Sequence, residues 1–222
     1  MQLARMARSA WRPVVWSTDL EAFRTRCGQS LAGTFHCAAY PGETVVWDWA
    51  TAEVVPASGV ALSLPPRLEA ELQLVREALS AAAPETKGLD GVFGRTPDGG
   101  GWLRIYDLVH PTLPLWRQVN LLADVFAGLE SKIALVRPAA HTLTSSMPTE
   151  ARYKRWLATW KKPGLQGVIL KHAEYARDPS TAGGAALPAA AGGETSPDTA
   201  GGATSPDTAG NAFLPDACLV RF

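Results

Sequence analysis

The sequence predicts an α+β domain. Short β-like runs are punctuated by Gly and Pro, amphipathic helical segments lie between them, and 46% of the residues are hydrophobic, enough for a core. Thr34–Tyr40 and Thr44–Trp49 are two β-like runs around Pro41-Gly42, which reads as a hairpin. Leu68, Leu72, Val75 and Leu79 recur at helical spacing after Pro65-Pro66, which predicts a helix over 67–82. Leu89–Gly94 and Trp102–Val109 read as strands around the Gly-rich turn 96–101. Val119, Leu122, Phe126 and Leu129 put an apolar face on a helix over 115–129. Lys132–Val136 reads as a strand, Pro148–Lys162 as a third helix, and Gly167–Tyr175 as a further strand.

Composition divides the 222 residues into three parts. Residues 1–177 form the body. Residues 178–211 are dominated by Gly, Ala, Pro, Ser and Thr, and repeat Gly-Gly-Glu-Thr-Ser-Pro-Asp-Thr-Ala from Gly192 as Gly-Gly-Ala-Thr-Ser-Pro-Asp-Thr-Ala from Gly201. Such a stretch has little to bury against its ordering entropy and reads as a disordered insertion. Residues 212–222 are apolar again, and Cys218–Arg221 is expected to return to the fold as a strand.

Charge and cysteine content exclude several classes. Lys+Arg and Asp+Glu both number 21, so the chain is not a strongly basic nucleic-acid coat protein, although a local basic patch is compatible. No apolar run approaches the ~20 residues of a membrane span, so no membrane partner is expected. Cys27, Cys37 and Cys218 are too few and too far apart for a zinc site, and no metal ligands are predicted. An odd cysteine count and the lack of a secretory h-region behind Arg5, Arg8 and Arg12 point to a reduced, cytoplasmic setting. His36, His110, His141 and His172 form no catalytic triad or metal pattern.

Three segments carry the functional signal by their order: Leu89-Asp90-Gly91-Val92-Phe93, then Trp102 to Val109 with Tyr106-Asp107, then Gly164-Leu165-Gln166-Gly167-Val168-Ile169-Leu170-Lys171. Together they resemble the adenylation domain of ATP-dependent DNA ligases, within the covalent nucleotidyltransferase superfamily. The helix beginning Leu115-Trp116-Arg117-Gln118 is similar to one between the second and third of these motifs. The resemblance covers about residues 34–177. It implies a ligase-like, ATP-grasp-like nucleotidyltransferase domain of two antiparallel sheets with flanking helices, and the OB domain that follows in most such ligases is not expected within this sequence. It also implies ATP and Mg²⁺ as cofactors and nicked or broken duplex DNA as partner. By the same resemblance Tyr106 would stack on adenine and Lys171 would contact phosphate, with Asp90 and Gln166 beside the nucleotide. Each has a plainer reading as well: a turn aspartate, a half-buried strand tyrosine, a lysine at a strand end.

The chemistry of that family requires a lysine amine to attack the α-phosphate of ATP. Ala39 stands at the expected nucleophile position, and no lysine precedes Lys87. Val92 and Gln166 stand where the resemblance implies carboxylates, which Mg²⁺ would want as ligands. Cys218–Phe222 offers Arg221 where two lysines are usual. The chain therefore reads as a degenerate, catalytically inactive relative: an accessory of DNA repair that binds DNA or a repair protein. The alternative is an active ligase or nucleotidyltransferase with a displaced lysine, for which Lys87 is the nearest in sequence to a core motif. In the third helix, Arg152, Lys154, Arg155, Lys161 and Lys162 alternate with Tyr153, Trp156 and Trp160. The cations are candidates for phosphate contact, whereas the tryptophans, four apart, are expected to pack inward.

Overall fold

The structure, a computed structural model, describes residues 13, 16–27, 31–144, 150–173 and 217–222. The 178–211 segment, Tyr175 and residues 212–216 lie outside the described residues.

Among the described residues, thirteen elements follow in order: α1 (Leu20–Arg26), β1 (Thr34–Ala39), β2 (Glu43–Asp48), β3 (Glu53–Pro56), α2 (Pro66–Ala82), β4 (Gly88–Arg95), β5 (Gly101–Val109), α3 (Leu115–Leu129), β6 (Val136–Pro138), β7 (His141–Leu143), α4 (Glu150–Thr159), β8 (Gly167–His172) and β9 (Ala217–Arg221). They build a four-stranded sheet, β7-β1-β8-β9, and a five-stranded sheet, β3-β2-β4-β5-β6. The pairs are antiparallel except for a short parallel pairing of β5 with β6, so the larger sheet is mixed.

The two helices of the body's centre form as their periodicity dictates. Leu68, Leu72, Val75 and Leu79 of α2 are buried, and Pro66 sits in the first turn, where its missing N–H costs nothing. Leu115, Leu122, Phe126 and Leu129 of α3 are buried beside them. Both helices pack on Trp47, Leu89, Phe93, Leu103 and Ile105 of the five-stranded sheet, which makes the largest apolar core. On the other side of the molecule, Phe23 of α1 and Tyr153, Trp156 and Trp160 of α4 pack on Val168, Leu170 and Cys218 of the four-stranded sheet. Between the sheets lies a third cluster, with Cys37, Ala39, Val92, Tyr106 and Ile169. The order of layers is therefore helices, sheet, sheet, helices.

Two expectations are corrected. Thr34–Tyr40 and Thr44–Trp49 are not a hairpin: β1 pairs with β7 and β8, whereas β2 pairs with β3 and β4. Both strands are buried over most of their length, so no solvent-facing alternation ties one to the other. The chain crosses between sheets at Pro41-Gly42, where Gly42 has φ +149° and an added Cβ would lie 2.5 Å from the Phe93 carbonyl oxygen. The strand expected over 132–136 begins only at Val136. The amides of Ala134, Leu135 and Val136 instead donate to Oε2 of Glu71, at 2.9, 2.7 and 3.1 Å. A buried carboxylate from α2 has taken the donors a longer ladder would need.

Candidate functional site

Facing strands of the two sheets enclose a cleft of about 240 Å³. β1 contributes Ala39, the link to β2 contributes Tyr40 and Gly42, β4 contributes Val92 and β5 contributes Tyr106. Gln166 and Ile169 come from the third motif, and Arg221 from β9. Trp16, ahead of α1, also lines it.

A β-bulge shapes this wall. Asp90 pairs with Asp107, yet the next residue, Gly91, pairs with Ile105, so Tyr106 is the extra residue of β5. A bulge breaks strict alternation. It lets Tyr106 line the cleft while the adjacent Asp107 carboxylate meets Lys171, which comes from the other sheet.

The hydroxyl of Tyr106 accepts the Tyr40 amide at 2.9 Å, and burial raises its pKa. The Gln166 amide donates to the Tyr40 carbonyl at 3.0 Å, while its backbone N–H donates to Ala39 at 2.9 Å. Gln166 thus clamps the link between the sheets as well as lining the cleft.

Lys171 departs from both sequence readings. It is neither an exposed strand end nor a cleft-lining cation: its relative exposure is 0%. Its Nζ donates to Asp107 Oδ1 at 2.6 Å and to the Tyr106 carbonyl at 2.9 Å. His141 Nε2 lies at 3.4 Å, and His141 Nδ1 is 2.8 Å from the Ala139 carbonyl. That contact requires the proton on Nδ1, leaving Nε2 to accept from the lysine. Burial, reinforced by the Lys171 charge, lowers His141 to about 3. Burial likewise pushes the neighbouring Cys37 thiol up to about 12, which removes it as a nucleophile at neutral pH. Asp90 is also buried, opposite Asp107 in the ladder, and does not line the cleft.

The sequence-derived site residues therefore separate. Ala39, Tyr106 and Gln166 meet at the cleft, with Lys171 and Asp90 behind its wall. Trp16 was missed by sequence reasoning, although Ser17-Thr18-Asp19 before Leu20 is a helix-start signal that places it. Asp19 caps α1 by accepting the Ala22 amide at 2.9 Å.

The cations of the third helix lie elsewhere. Tyr153, Trp156, Leu157 and Trp160 form the inward stripe of α4, and His36 of β1 meets Trp156 and Trp160 edge-on at 5.0 and 4.7 Å. Arg152, Lys154 and Arg155, followed by Lys161 and Lys162, are exposed on the outer side. His36 points to α4 and the adjacent Cys37 points to the space between the sheets. The basic surface and the cleft thus occupy opposite faces of the four-stranded sheet.

Among solved structures, the fold matches one described as "Pmar-Lig_PreS3" with a TM-score of 0.53 at 12% identity, over 74% of this chain and 43% of that one. It matches a Lig E DNA ligase structure, described as DNA binding with a minimal scaffold, with a TM-score of 0.50 at 11% identity, over 75% of this chain and 63% of that one. The fold is that of a DNA ligase nucleotidyltransferase domain. The chain spans between about two fifths and just under two thirds of the length of these ligases. It matches no family model and no curated protein.

The ligase-type cleft can be tested for the Mg²⁺ that the resemblance implies. A hard divalent cation wants carboxylate oxygens. None of the described residues lining this ligase-fold cleft is Asp or Glu, and Arg221 is its one charged side chain. The donor set does not fit the metal. Among the described residues lining the cleft, Ala39 stands at the position the resemblance gives the nucleophile and none is a lysine.

No helix among the described residues is long and apolar enough to cross a membrane.

Proposed function

We propose that this chain is a ligase-fold accessory of DNA repair that binds broken or nicked duplex DNA and does not transfer adenylate. One observation carries the reading: a cleft whose described lining residues include no lysine, Asp or Glu on one side of the sheet, and an exposed set of cations on the other. Arg152, Lys154, Arg155, Lys161 and Lys162 contact phosphates, and the tryptophans between them hold the helix to the sheet rather than stacking on bases. Phosphate contact positions a protein without reading sequence, so binding has little sequence preference.

Lys87 receives no support as a displaced nucleophile. It is exposed and precedes β4, whereas the cleft is lined by Val92, further along that strand. Five residues of strand separate them by roughly 16 Å.

The test is titration of nicked and intact duplexes into the full chain at several salt concentrations. The reading expects dissociation constants of about micromolar or weaker near physiological salt, with affinity falling steeply as salt rises. Absence of binding to every duplex at low salt would remove the DNA half of the reading and leave a repair protein as the partner.

A further inference from the structure

We propose that Arg104 and Arg137 form a carboxylate-docking site, which takes an acidic segment of a partner protein at the β5–β6 edge of the five-stranded sheet. The two residues stand directly opposite each other on neighbouring strands. Leu103 and Val136, one position before each, belong to the core under α2 and α3, so both arginines lie on the other face of the sheet. Both are half-buried, and neither lines the cleft.

Like charges directly opposite in a sheet repel. An arginine cannot relieve the repulsion by giving up its proton. A carboxylate between the two would relieve it, but neither meets one among the described residues. Arg104 instead donates to the carbonyls of Leu103 and Leu135, both at 3.3 Å, and lies over the rings of Trp102 at 5.2 Å and Tyr40 at 5.7 Å. The Tyr40 backbone is in turn held by the Tyr106 hydroxyl and the Gln166 amide. The guanidinium is therefore oriented before any ligand arrives, and the missing counter-charge comes from outside the described chain.

The chemistry of the site selects an acidic protein segment. The planar fork of arginine matches a carboxylate, and Arg, Trp and Tyr are the residue types enriched where protein interfaces carry most of their binding energy. Two adjacent cations neutralise too few phosphates to hold a duplex. A Cβ at Gly94 would collide with the Trp102 indole, and Arg104 lies over the same ring, so the indole is engaged within the chain rather than open to an unpaired base. Side chains make the contact, not strand addition: at the β6 edge the Val136 amide is taken by Glu71, and Pro138 has no N–H. The site is separate from the cations of α4, and the inference stands whether or not DNA binds there.

Titration of the full chain with a blocked hexaglutamate peptide, followed by NMR at the arginine Nε–H and tryptophan indole N–H groups, tests it. Saturable shifts are expected at Arg104, Arg137 and Trp102, and a hexaglutamine peptide is expected to cause none. Arg137→Gln is expected to weaken hexaglutamate about tenfold. The melting temperature of that variant without peptide is expected to stay the same or rise, because a like-charge contact is gone. Shifts confined to α4, no shifts at all, an unchanged affinity in Arg137→Gln or a lowered melting temperature of that variant would each overturn the proposal. A thymidine hexanucleotide that moves the same signals at lower concentration than the peptide would also overturn it, by assigning the site to nucleic acid.

Discussion

Lys171 Nζ lies 2.6 Å from Asp107 Oδ1, and both side chains are fully buried between the sheets. Taking two charges out of water is costly, and the geometry offsets that cost only while both are present. The bulge at Tyr106 brings the carboxylate to the amine, so the backbone irregularity and the ion pair form one feature.

Removing one partner leaves an uncompensated buried charge. Asp107→Ala is expected to destabilise the fold by about 3–5 kcal/mol. The double replacement Asp107→Leu with Lys171→Met recovers most of the loss, because the uncompensated charge is gone. Urea unfolding of the three chains checks both statements.

Glu71 supports a different joint. Its Oε2 accepts three consecutive amides at the entry to β6. Glu71→Ala leaves the buried Val136 amide and the part-buried Ala134 and Leu135 amides without this acceptor and is expected to cost about 1–3 kcal/mol, the cost of a buried unsatisfied group. Glu71→Gln keeps an acceptor of similar shape without the charge and is expected to cost less. Thermal unfolding distinguishes the two, and amide exchange at 134–136 speeds up in the alanine variant.

Acid sensitivity follows from His36. Burial against α4 lowers its pKa to about 4, so the native state keeps it neutral where the unfolded chain protonates it. The unfolded state then binds more protons below about pH 6.5, the ordinary histidine value. The stability His36 confers is complete above that pH, declines as the pH falls, and is lost by about pH 4. His36→Gln removes this titration. Its unfolding free energy is expected to fall less steeply between pH 6.5 and 4 than that of the unsubstituted chain, by no more than about 1.4 kcal/mol per pH unit.

The DNA surface makes a separable prediction. Replacing Arg152, Lys154, Arg155, Lys161 and Lys162 by Gln leaves the inward stripe of α4 intact. Affinity for duplex DNA is expected to drop by tenfold or more at low salt. The dependence of log affinity on log salt becomes shallower, because fewer counterions are released. Binding unchanged by these substitutions moves the DNA surface elsewhere on the chain.

Much of this was legible in the sequence where local periodicity decides structure. The apolar stripes of α2, α3 and α4 were readable because helical partners sit three and four residues apart. The cleft position of Tyr106 and Gln166 was implied by the resemblance that the three motifs carry, and that of Ala39 by the place the same resemblance gives the nucleophile. Strand pairing was less legible: a Pro-Gly link is as compatible with a crossing between sheets as with a hairpin, and only distant strands decide which. The bulge was hidden because alternation along 102–109 places Tyr106 and Asp107 on opposite faces. Lys171 looked like a surface cation because its partner lies 64 positions away in sequence.

The central claim is that this ligase fold does not form an enzyme–adenylate. Incubation of the full chain with α-phosphate-labelled ATP and Mg²⁺, followed by denaturing electrophoresis, tests it directly. The account predicts no label on the protein, at any pH from 6 to 9, because Ala39 offers no amine and Lys171 is held by Asp107. A covalent adenylate mapped to any lysine of the chain would contradict it.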